Sequence, residues 1–92
     1  MIKSFRHKGL ARYFEKNERR GIDAKQSSRI KRLFDALDQT TSPEHMNIPG
    51  WRLHQLTGDR KGTWSINVSG NWRITFEFSG TDAVNVNLED YH

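Results

Sequence analysis

The chain of 92 residues has no cysteine. That removes disulfide staples, thiolate nucleophiles and cysteine zinc sites at once, so folding has to rest on packing alone. Prolines are scarce, with two in all, and both fall in the stretch from Gln39 to Gly50. No run of apolar residues approaches the roughly 20 needed to cross a bilayer, and Met1 to Lys8 mixes charge with few apolar side chains, unlike a cleaved leader. The expectation is a cytoplasmic protein with no membrane role. Also missing are a Gly-rich P-loop, a Gly-x-Ser-x-Gly elbow and a His-Glu-x-x-His pair, and no cofactor motif appears.

What is present is concentrated. Mean hydropathy is −0.87, but three Trp, five Phe and two Tyr supply large core side chains. The length suits one domain with one modest core, spanning residues 1–92. Charge is divided unevenly. Residues 1 to 32 hold eleven Lys/Arg against three Asp/Glu, while the remainder holds four against eight. The front half is therefore a candidate surface for a polyanion, or simply a solvated basic face.

Met1 to Phe5 reads as a short edge strand. Leu10, Ala11 and Phe14 at helical spacing predict a first helix over Lys8 to Asn17. Asp23 with Gln26 three residues on predicts an N-cap and capping box for a second helix. Ile30, Leu33, Phe34 and Leu37 form its apolar stripe, and Lys25, Arg29 and Arg32 fall on the opposite side as candidate RNA contacts.

Beyond Gly50 the period changes to two. Arg52 to Leu56 reads as a strand; Trp64, Ile66 and Val68 alternate with polar residues, as do Trp72, Ile74, Phe76 and Phe78, and then Val84, Val86 and Leu88. Trp64 and Trp72 lie on the apolar phase and are expected in the core. Arg73 and Thr75 are expected on an exposed polar face, Arg73 either clamping a phosphate or paired with Glu77. The fold class that follows is α+β, two N-terminal helices packed on one face of a small, mainly antiparallel sheet.

Metal-free cleavage of RNA needs a proton acceptor, a proton donor and cations for the phosphate. The four histidines are His7, His45, His54 and His92, and none lies three or four residues from another, so metal-ligand spacing is absent. His54 sits among Arg52, Arg60 and Lys61, the last two being further candidate RNA contacts. His92 follows Asp90 and Tyr91, which packs a carboxylate, a phenol and an imidazole together. That cluster reads either as acid/base chemistry with a stacking ring or as the polar residues of a frayed end.

The opening Met1 to Leu10, Pro49-Gly50-Trp51-Arg52-Leu53-His54, Gly58-Asp59-Arg60, Gly70-Asn71-Trp72-Arg73-Ile74-Thr75-Phe76 and the closing Glu89-Asp90-Tyr91-His92 together resemble the HigB branch of the RelE toxin superfamily. The resemblance covers the whole chain. It implies a RelE-like fold and a ribosome-dependent endoribonuclease that cuts messenger RNA in the A site by 2′-OH attack, leaving a 2′,3′-cyclic phosphate. It implies His54, Asp90, Tyr91 and His92 as the catalytic positions, with Arg73 on the sheet face. The implied partners are the ribosome with bound messenger RNA and a HigA-type helix-turn-helix antitoxin, through which alone DNA would be met. One departure stands out: similar toxins usually carry Leu-His-Pro-Leu-Lys-Gly, whereas Leu53-His54-Gln55-Leu56-Thr57-Gly58 has Thr57 in place of the lysine. The rival reading is a non-catalytic module that holds RNA by charge and stacking.

Overall fold

A computed structural model describes residues 1–90. Helix α1 spans Lys8–Lys16 and α2 spans Ala24–Gln39. Strands β1 (His54–Gln55), β2 (Trp64–Ser69), β3 (Trp72–Ser79) and β4 (Asp82–Asp90) form one antiparallel sheet in sequence order. The α+β architecture expected from the change of period is the one observed.

Local chemistry explains each helix end. His7 caps α1, its Nδ1 accepting from the Leu10 N–H at 3.1 Å. Burial, helped by the charge of Arg12, lowers its pKa, which keeps the ring neutral and its Nδ1 an acceptor. The ring lies over Gly9, where a Cβ would stand 2.8 Å from His7 Cε1; only glycine fits under this cap. Asn17 closes the helix in the left-handed conformation at φ 57°.

Asp23 caps α2 as expected, accepting from the Lys25 N–H at 2.8 Å. Gln26 does not complete a capping box. It is buried and donates through Nε2 to Ser69 Oγ at 2.9 Å, tying the helix start to the end of β2.

The core joins Leu10, Tyr13, Ile30, Leu33, Phe34 and Leu37 of the helices to Ile66, Val68, Ile74, Phe76, Ala83 and Val86 of the sheet, all buried. Phe5 and Phe14 pack edge-on or tilted against Phe34 and each other, with centroids 5.3 to 5.8 Å apart. The N-terminal segment adds to the open edge of β4 in parallel, Ile2 beside Ala83 and Phe5 beside Val86. The carbonyl of Ala83 accepts from Lys3 and that of Val86 from Arg6, both at 2.8 Å.

Three expectations are corrected. The strand foreseen over Arg52 to Leu56 shrinks to His54–Gln55, and Arg52 takes a left-handed φ of 51°, outside the extended region. Trp72 is 40% exposed; it opens β3 at the hairpin end, next to a bulge between Asn67 and Ser69 that interrupts the regular pairing. Trp64, by contrast, packs half-buried against the core. Thr75 is 2% exposed rather than displayed. The segment around the short turn Gly58–Arg60 folds over the polar face, and Arg60 reaches across it to Glu89.

Candidate active site

The strand period puts His54, Ser65, Asn67, Arg73 and Thr75 on one face, away from the helices. Cross-strand partners are His54 and Ser65, Ser65 and Thr75, and Asn67 and Arg73, and such pairs hold their Cβ atoms about 4.5–5.5 Å apart. Toward the hairpin end this face is hollowed into a cleft of about 290 Å³ lined by Arg52, His54, Ser65, Asn67, Gly70, Asn71 and Arg73. Among the described residues the lining carries two guanidiniums, an imidazole, two amides and a hydroxyl, and no carboxylate. Such a donor-rich hollow suits an anion.

His54 is exposed, and its Nδ1 lies 3.1 Å from the Arg52 carbonyl oxygen. A carbonyl can only accept, so Nδ1 bears a proton, and in the neutral ring the lone pair is then on Nε2. The left-handed turn at Arg52 is what aims that carbonyl. Trp51 anchors the same loop: it is buried, and its carbonyl accepts from the Asn67 N–H at 2.8 Å.

Arg73 is held in part from β4. Its side chain is 15% exposed and its Nη2 stands 3.9 Å from Glu89 Oε1. The partner is Glu89, directly across on β4, rather than Glu77 on its own strand, whose carboxylate meets Asn85 at 3.5 Å. Glu89 also takes both Arg60 amines, at 2.7 and 2.6 Å, and the Thr75 hydroxyl at 2.6 Å. The Arg60 contact chiefly, with Thr75 and the charge of Arg73, holds the Glu89 carboxyl down to about 2 against the opposing effect of burial.

Asp90, the last described residue, pairs with Trp72 and so ends β4 beside Asn71 and Arg73. Tyr91 and His92, expected in the same chemistry, lie outside the described residues. Arg60 and Lys61 do not line the cleft with His54. They border a second hollow, of about 220 Å³, farther along the polar face with Arg6, Asp59 and Glu89. Arg60 is committed there to Glu89. Thr57, where similar toxins usually carry a lysine, is exposed and outside the residues lining the cleft, whose cations are Arg52 and Arg73.

On α2, Lys25 and Arg32 are exposed, but Arg29 is half-buried and donates through Nη2 to the Gly50 carbonyl at 2.8 Å. It braces the helix against the loop leading into the site, so the expected cationic triplet is a pair plus a strut. Sequence reasoning missed Arg52, Ser65, Asn67, Asn71 and Glu89. Strand parity alone would have put Ser65 and Asn67 on the face of Arg73; in the sequence Arg52 counts as a cation near His54 and Asn71 as part of a motif, but neither receives a role there.

Among the described residues no helix is long and apolar enough to cross a membrane, and no three His, Asp or Glu side chains converge as a metal site would require. A family model described as the RelE-like toxin of the type II toxin-antitoxin system HigB matches residues 3–92. Over 92 residues, the full length of both chains, the sequence is 49% identical to the Endoribonuclease HigB of Proteus vulgaris. Over 93 residues, 99% of this chain and 98% of the other, it is 29% identical to the Toxin HigB-1 of Vibrio cholerae.

Proposed function

The chain belongs to the HigB family of RelE-like toxins of type II toxin-antitoxin systems, and from that premise we propose that it is an endoribonuclease that cuts messenger RNA in the ribosomal A site. A toxin of such a system is paired with an antitoxin; here that partner is a HigA-type helix-turn-helix protein, and DNA is met only through it. The work is done in the cytoplasm, where the ribosomes are.

The observation that carries the reading is the cleft itself, which sets an imidazole, held through Nδ1 by the Arg52 carbonyl, beside two arginines and near the end of β4. His54 takes the 2′-OH proton, and the 2′-oxygen attacks phosphorus. The 5′-oxygen departs with a proton from His92, leaving a 2′,3′-cyclic phosphate and a 5′-hydroxyl. Arg73 and Arg52 offset the charge that builds on the phosphate. Asp90 orients or assists a histidine, Tyr91 stacks on a base, and no metal takes part. Groups this few align RNA poorly by themselves, which accounts for a need for the ribosome.

The test is to map 5′ ends after mixing purified chain with naked messenger RNA and with the same RNA on programmed ribosomes. Cutting confined to the ribosomal sample is expected. Equal cutting of both removes the ribosome from the mechanism, and no cutting in either leaves a binding module.

A further inference from the structure

Ser65 sits in the middle of β2, opposite His54 on one side and Thr75 on the other. The residue is 1% exposed and its Oγ has no hydrogen-bond partner among the described residues. The neighbouring Thr75 hydroxyl donates to Glu89 and makes no hydrogen bond with Ser65. Below the strand lies the apolar core, where Ile66 is fully buried, so the cleft is the side from which a partner can reach Ser65. A buried hydroxyl left unsatisfied is unfavourable and uncommon. In a strand, an apolar or β-branched residue would fill the same place without that penalty.

We propose that Ser65 is a further substrate-contacting residue whose hydroxyl donates to a non-bridging oxygen of the scissile phosphate. The inference rests on the endoribonuclease reading above. The 2′-oxygen that His54 deprotonates must stand within about 3–3.5 Å of phosphorus before attack, so a donor on the residue directly across from His54 is in reach of the phosphate. A nucleobase hangs one sugar away. Phosphate oxygens accept only, and Ser65 supplies one proton among the Arg52, Arg73, Asn67 and Asn71 donors that line the same hollow. Apo protein thus keeps open a hydrogen bond that substrate completes.

Two measurements test this on messenger RNA bound to programmed ribosomes. Ser65→Ala should lower the single-turnover cleavage rate about ten- to hundredfold, the usual share of a hydrogen bond to a charged group. Ribosome affinity should hold, and the thermal midpoint should stay or rise, because the variant discards an unsatisfied buried group. A single phosphorothioate at the scissile position, prepared as separate diastereomers, should slow the natural chain with one of them, and the variant should lose that discrimination. An unchanged rate, a fallen midpoint, or the same diastereomer effect in both proteins overturns the proposal; an ordered water or a structural role for the hydroxyl would give one of these. If the natural chain cuts no RNA on ribosomes, the endoribonuclease reading fails first and the assignment of Ser65 with it.

Discussion

Glu89 offers the sharpest test of the polar face. Its carboxylate joins three elements through Arg60, Thr75 and Arg73, and its pKa falls from 4.5 to about 2. A carboxyl depressed on folding gives stability that is complete above the unfolded pKa and drains away as pH falls toward the folded one. The displacement corresponds to about 3 kcal/mol in full, of which about 2 would be gone by pH 3. Arg60 is 41% exposed, and water screens that side of the pair, so about 1–2 kcal/mol is the expected loss by pH 3. The comparison is Glu89→Gln, which keeps the shape and removes the titration. Urea unfolding at pH 7 and pH 3 should show the natural chain losing about 1–2 kcal/mol more than the variant, whose other carboxyls titrate alike. Parallel losses in the two proteins would mean that the Arg60–Glu89 contact is dissolved in solution and that the polar face is open.

His54→Ala should cut ribosomal messenger RNA slower by a factor on the order of 10² to 10⁴ while keeping fold and binding, since the side chain is exposed and bears no core load; a rate within a few-fold of normal in single-turnover assays would remove it as a proton carrier. Lys25→Glu with Arg32→Glu should weaken ribosome binding and flatten its dependence on salt, because counterions released by phosphate contacts set that slope. Binding unchanged across a salt series returns these two to ordinary solvated cations.

The helices and the three long strands were legible because their signals are local and repeated: the stripe from Ile30 to Leu37, the parity of Trp64, Ile66 and Val68, the Asp23 cap. What failed depended on neighbours far away in sequence. Gln26 had a capping role available and instead met Ser69. Thr75 had the parity of an exposed residue, yet Arg60 covers its face from a turn that sequence could not position. Arg52 occupies a conformation more typical of glycine, so its type gave no warning that the strand would break and present a carbonyl to His54. In the site, residue types and family resemblance marked His54 and Arg73, whereas parity could give the face of Ser65 and Asn67 but only the pairing of β2 on both sides shows which residues they stand against.

The parallel pairing of Met1 to Arg6 with β4 bears on how the protein comes to be made. The Asn85 amide donates to the Ser4 hydroxyl across 81 positions of chain, about as non-local as a contact in so short a protein can be, and closing so large a loop is slow in exchange for contacts that come late. Synthesis runs the other way: the cationic helices leave the translating machine first, and β4, with Glu89 and Asp90, leaves afterward. In a nascent chain the cationic face of the helices is therefore exposed before the sheet that carries His54 and Arg73 can close, so the two halves of the molecule are completed in a fixed order.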